Sequence, residues 1–378
     1  MATRALTVRA PWPIQAVLFA SASVIVGVIW DISWHRTIGR DTFWTPAHLA
    51  IYLGGVVAGL SCGWVALRTT FAGTIDDRDA AVRFWGFRAP LGAWVCIWGA
   101  FAMLTSAPFD DWWHNAYGLD VKVLSPPHVL LAAGIGAIQT GAMLMALAWQ
   151  NRNARRSPSL GYLFVIGAGL LLVLLLTLVI DYVQRWDMHR ALFYQVTAGI
   201  AAFVLVSSAR ASTLRWPATL TALVYMALTE ALVIILPRFS AQPLLGPIYV
   251  QIDHFMPPDF PLLLVAPALA IDVVMHRLRG TGRTNDWITA GIVAVVFVAA
   301  FLAAQWPFAN FLMTPWARNW IFATHWQPYY VEPFFQQRWY TIEPADNLIV
   351  GLPIAVALAF LSARSGLWWG NWMARVQR

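Results

Sequence analysis

Roughly ten apolar runs follow one another along this chain, and each is long enough to cross about 30 Å of hydrocarbon. They fall near residues 13–32, 47–67, 87–107, 127–148, 160–182, 190–208, 216–237, 260–277, 287–306 and 347–364. That pattern predicts an all-α, polytopic transmembrane bundle. Composition agrees: 11% of residues are charged, against about 25% in an ordinary globular chain, while 59% are hydrophobic, with 22 Trp and 21 Phe. A soluble particle could not bury so much apolar surface. Disorder is excluded by the same balance, and a disulfide scaffold by the presence of only two cysteines, Cys62 and Cys96. Both fall within spans and read as small apolar residues.

The net charge of +7 invites a nucleic-acid reading, but its placement argues otherwise. With a cytoplasmic N-terminus, 17 of the 25 basic residues fall on inner segments, which is the positive-inside pattern for an N-in, C-in chain. No nucleic-acid partner is expected. The first run follows Arg4 and Arg9 and carries a signal-like Ala20-Ser21-Ala22, yet it continues unbroken to Trp30 and reads as an uncleaved span. The implied location is a bacterial inner membrane. Seven of the eight histidines and twelve of the 18 acids would then lie on the periplasmic side.

Between spans one and two the chain reads Asp31-x-x-Trp34-His35, then Gly39-x-Asp41, then Thr45-Pro46-x-His48. Between spans three and four it reads Asp110-x-x-Trp113-His114, then Gly118-x-Asp120, then Ser125-Pro126-x-His128. This is an internal repeat of a two-helix unit, and the even number of crossings puts both copies at one face. If the first span stays helical, Asp31 and His35 share a face at i and i+4. Thr45-Pro46 resembles a helix start, so His48 in the next first turn folds back over them. Asp110, His114 and His128 repeat the arrangement. Such N,O sets suit copper, and equally iron or zinc, because ligand types alone do not choose the metal.

At these residues the chain resembles the copper-containing membrane monooxygenases, the particulate methane and ammonia monooxygenase family. Trp34-His35-x-Thr37-x-x-Arg40-Asp41-Thr42-x-x-Thr45-Pro46-x-His48 is similar to the signature of that family's copper-binding C subunit. The likeness covers roughly residues 25–150 and implies one or two copper sites, with Asp31, His35, His48, Asp110, His114 and His128 as the ligand and catalytic residues. Where the family usually has Asn, this chain has Asp110, which makes the second site more anionic. A weaker similarity, to the helical A subunit, runs over about 265–310: Pro267 to Asp272, Asp286-Trp287 with Thr289, and Gln305-Trp306-Pro307. The family's copper-binding β-domains have no counterpart in this sequence, so a separate cupredoxin-containing subunit would supply them.

The chain accordingly divides into repeated metal-binding units at 1–150 and a helical membrane region at 151–378 with an aromatic outer loop at 307–346. The expected function is a copper-dependent oxygenase, or its core subunit, acting with O₂ on a small apolar substrate within an oligomer, with a quinol as the electron source implied by the family. Copper storage or delivery without oxygenase chemistry is the alternative. Asp187 with His189, and Asp253 with His254, are further ligand candidates or imidazole-orienting partners. Asp41 and Asp120 read as second acceptors for the histidines, and Arg40 as their counter-charge. Glu230, an ionisable residue within a span, reads as a proton or quinol contact, or as a structural carboxyl. His325 and Glu332 lie in an outer loop whose aromatics read as an interfacial belt.

Overall fold

A computed structural model describes residues 11–39, 41–118, 124–152, 157–244, 253–279, 285–317 and 342–378. The helices are α1 (Trp12–Thr37), α2 (Pro46–Phe71), a short α3 (Ile75–Asp79), α4 (Leu91–Tyr117), α5 (Pro126–Arg152), α6 (Pro158–Thr177), α7 (Ala191–Ala211), α8 (Pro217–Ile235), α9 (Val265–Arg279), α10 (Asp286–Leu312) and α11 (Ala345–Met373). Among the described residues, nine of them are long and apolar enough to cross a membrane. The protein is an all-α polytopic membrane bundle. One small hairpin, Val82–Phe84 with Phe87–Ala89, precedes α4.

The two repeats are two antiparallel helix pairs, α1 with α2 and α4 with α5. Without a hydrophobic force between helices in lipid, close packing rests on small residues at the crossings. A Cβ on Gly54 would lie 2.6 Å from the Ala20 carbonyl oxygen, and one on Gly134 would lie 2.7 Å from the Gly99 carbonyl oxygen. The two pairs meet along α2 and α4, where the Gly59 backbone approaches Ala100. Cys62 on α2 and Cys96 on α4 are fully buried. Further packing of α1 and α5 against α6 joins the pairs to the remaining helices.

Both motif segments lie at one end of the bundle. At the other end, Asn151 near the end of α5 donates to the carbonyls of Ala374 and Val376. The start of α1 and the end of α11 therefore share the face opposite the motifs.

The eighth span, expected at 260–277, is only partly helical. Non-helical chain from about Met256 to Leu264 leads into α9, a helix of 15 residues. The Met256 N–H bonds to Thr37 Oγ1 at the motif-face end of α1. At the far side, Asp272 on α9 accepts from the backbone N–H groups of Ala218 and Thr219 at the start of α8. Non-helical backbone survives at this depth only where protein satisfies its polar groups. Here Pro257, Pro258 and Pro261 have no N–H to satisfy. The Pro257 carbonyl accepts from Arg36, and the Pro261 carbonyl from the Tyr225 hydroxyl. The ninth span also runs further than expected, because α10 continues through Pro307 to Leu312.

Candidate metal centre

Helix α1 stays regular to Thr37, which puts Asp31 and His35 on one face one turn apart. Gly39 then reverses the chain at φ 85°, a left-handed conformation that glycine adopts without a Cβ penalty. Its repeat partner Gly118 has φ 90° at the end of α4. Thr45 takes the N-cap position of α2 with Pro46 as first helical residue. The Thr45 hydroxyl, however, turns back to accept the Thr42 N–H at 2.8 Å, so it braces the loop rather than the helix.

The reversal brings four side chains together. His48 Nε2 lies 3.2 Å from Asp31 Oδ1 and 3.1 Å from Asp41 Oδ2, and His35 Nε2 lies 3.7 Å from Asp31 Oδ2 and 3.5 Å from Asp41 Oδ2. In the second copy, Asp110 Oδ1 lies 3.7 Å from His114 Nε2 and 3.4 Å from His128 Nε2. Ligands about 2.1 Å from a tetrahedral ion are about 3.4 Å from one another, so both sets have the spacing of a coordination shell. Asp31, His35 and Asp41 offer ligand atoms within 4.8 Å of one another.

The donor atoms themselves fit a cation. Apart from these imidazole–carboxylate contacts, Asp31 Oδ1, Asp110 Oδ1 and His114 Nε2 are buried with no hydrogen-bond partner, a costly condition for polar atoms. His48 Nδ1 sits 3.0 Å from the Thr42 carbonyl, which can only accept, so Nδ1 carries a proton. Its Nε2 then faces two carboxylates, and only a proton or a metal ion there makes that contact attractive. A backbone carbonyl on one ring nitrogen and an ion on the other is the usual way a protein orients a ligating imidazole. Burial alone would raise the pKa of Asp41. Hydrogen bonds and charge from His35 and His48 outweigh it and hold the carboxyl well below the usual carboxylate range.

Both sets open on one cavity of about 510 Å³. Asp31, Asp41 and His48 of the first set and Asp110, His114 and His128 of the second line it, together with Tyr52 and Asp111, while His35 stands outside the lining. The Tyr52 hydroxyl donates to the Phe43 carbonyl. Ile51, Met103 and Leu131 supply apolar lining.

All six expected ligands are thus brought into two clusters. Asp41 is a correction in role, standing as close to the imidazoles as Asp31 does instead of behind them. Its signal was present in the repeat as Gly-x-Asp. The other candidates go elsewhere. His189 is buried against α10, bonded to Asn310 Oδ1 at 2.8 Å and edge-on to Trp306, and burial lowers its pKa. Asp187 pairs with Arg190 at 3.1 Å. His254 contacts Asp253 at 3.1 Å and bridges to Ser240, away from the cavity. The residues of the weaker similarity take packing roles: Asp272 caps α8, Asp286 meets Arg210 and Asn371, and buried Gln305 reaches Met188. Arg40, Asp120, His325, Glu332 and most of the aromatic loop lie outside the described residues.

The chain matches no protein-family model, and comparison with curated proteins and with solved structures likewise finds no match.

Proposed function

We propose that this protein is a copper-dependent membrane oxygenase, or the core subunit of one, that hydroxylates a small apolar molecule with O₂. The observation that carries the reading is one partly apolar cavity lined by Asp31, Asp41 and His48 of the first set and by Asp110, His114 and His128 of the second. Asp31, His35, Asp41 and His48 would hold one ion, and Asp110, His114 and His128 a second. The motif likeness to the copper membrane monooxygenases around Trp34–His48 favours copper over iron or zinc. Bound copper would supply the binding and reduction of O₂.

The remaining tasks fall to the chain. The Thr42 carbonyl sets the His48 tautomer, leaving Nε2 free to coordinate. Asp31, Asp41 and Asp110 balance cationic charge at the bilayer boundary, where an unpaired ion would be expensive. Ile51, Met103 and Leu131 admit a lipid-soluble substrate and exclude water from it. Hydroxylation with O₂ consumes two electrons and two protons for each oxygen atom inserted, with the other atom leaving as water. Neither set stores these electrons, so a quinol is the proposed donor, with a cupredoxin-containing subunit as proposed partner. The basic excess on segments opposite the motifs supports a motif face turned to the periplasm of a bacterial inner membrane.

The test is metal content and copper EPR of the purified protein, with oxygen-dependent turnover of a short alkane, alkene or ammonia. Copper that falls in His35→Ala and again in His35→Ala with His114→Ala, alongside turnover, is the expected result. Unchanged copper in the double variant, or a redox-silent zinc protein, overturns it. Copper storage or delivery is the second reading, favoured by the exposure of the outermost ligands: the His35 side chain is 36% exposed and that of His128 31%. Copper binding without any oxygen-dependent turnover would select it.

A further inference from the structure

The broken eighth span borders a second cavity, of about 360 Å³, separate from the metal sets. Its walls are largely apolar, with Phe260 and Leu263 from the non-helical segment and Phe308 from α10. Three ionisable side chains reach it: Glu230, Arg185 and Asp259. Asp259 is 1% exposed and pairs with Arg185, while its Oδ2 has no hydrogen-bond partner. Glu230 lies about 20 Å along α8 from Pro217, at 1.5 Å per residue. That places it toward the motif face rather than at mid-depth. Among the described residues it has neither an ion pair nor a hydrogen bond.

Backbone strain marks the same wall. Leu263 has φ 62°, a conformation rare for a residue with a branched side chain and one that clusters at ligand clamps and other functional sites. The segment is held in this shape from outside the cavity, by Arg36 on the Pro257 carbonyl, Thr37 on the Met256 N–H and Tyr225 on the Pro261 carbonyl. Strain, a broken span and an unpartnered buried carboxylate oxygen therefore converge on one cavity.

We propose that the cavity bounded by Glu230, Arg185 and Asp259 binds an uncharged, lipid-soluble alcohol or phenol, with its hydroxyl at the polar end and its hydrocarbon against Phe260, Leu263 and Phe308. A hydroxyl donates to a carboxyl oxygen and accepts from a guanidinium, which are the two functions present. An anionic head would meet the Asp259 carboxylate, and a cationic one the Arg185 guanidinium. The Arg185–Asp259 pair is already balanced, and an unpaired Glu230 in a low-dielectric space costs least as the neutral acid, so a neutral head adds no uncompensated charge. The volume admits about a dozen non-hydrogen atoms at roughly 30 Å³ for each water-sized group. This site does not depend on the metal reading.

The test uses the full chain in lipid nanodiscs, a photoreactive diazirine derivative of decan-1-ol, and mass-spectrometric mapping of the labelled residues. Label is expected on the 260–264 segment and around Phe308. Decan-1-ol should displace it at least five-fold more effectively than decane or decanoate. Val233→Trp, which fills the cavity, and Glu230→Leu, which removes the lone carboxyl, should each lower that label at least five-fold. Label at lipid-exposed Ile349 on α11 should stay constant and report an intact fold. Equal competition by decane would mean that the space takes any acyl chain, and would overturn the proposal. So would label insensitive to both variants. The wild-type competition series decides the matter even if a variant fails to fold.

Discussion

Replacing Gly134 by alanine should destabilise the α4–α5 pair, whereas the same replacement at Gly136, two residues along the same helix, should not. Alanine is the better helix former by about 1 kcal/mol, so propensity alone makes both changes favourable. The crossing decides otherwise at Gly134. A Cβ there would stand 2.7 Å from the Gly99 carbonyl oxygen, 2.7 Å from Met103 Cγ and 2.9 Å from the Met103 backbone nitrogen. Ordinary contact begins at 3.4 Å, so the backbones must part by about 0.7 Å, and two of the three obstacles are main-chain atoms that cannot rotate away. Overpacking of this kind costs roughly 1–3 kcal/mol, which exceeds the propensity gain. At Gly136 the nearest atom is Leu174 Cδ2 at 3.6 Å, so the propensity gain survives. The two helices carry Asp110, His114 and His128, and a metal shell tolerates only about 0.2 Å. Gly134→Ala should therefore also lower metal occupancy of the second set and leave the first intact. Thermal unfolding in a mild detergent, run side by side on both variants, checks the opposite signs. Equal stabilisation of both variants would refute the close crossing.

Asp41→Asn should weaken metal binding at the first set by about 10- to 100-fold, the usual effect of losing a group that orients or supplements the ligands; competitive chelator titration reads this, with the second set as internal control. His189 should give the fold an acid limit. Burial lowers its pKa, opposed by the bond to Asn310, so the native side chain stays neutral while the unfolded chain takes up a proton below about pH 6.5. Stability should then fall as pH drops through that value, and His189→Gln should flatten the slope in unfolding experiments between pH 5 and 7. Asp41 contributes nothing to that window. Its depressed pKa gives stability that is present above the ordinary carboxylate value of about 3.9 and lost only below it.

Sequence spacing alone determined much of this molecule. Apolar runs of membrane length leave the backbone only helices with which to satisfy itself, so the bundle was legible almost span by span. The i, i+4 placement of Asp31 with His35 and of Asp110 with His114, and the Thr/Ser-Pro starts that return His48 and His128, are local consequences of helical geometry. The matched Gly39 and Gly118 stood in the repeat, and the structure shows both at positive φ. Tertiary structure decided the rest. Asp41 joins the imidazoles because a positive-φ turn aims it back at them, and spacing does not encode that direction. The two sets share a cavity because α2 and α4 pack closely where Gly59 approaches Ala100, a contact between residues far apart in sequence. The eighth apolar run begins with a non-helical stretch because prolines remove N–H donors there and Arg36 and Tyr225 satisfy carbonyls in and just before it. Hydropathy registers only that such a segment is apolar, and satisfaction of its hydrogen bonds comes from partners elsewhere in the chain.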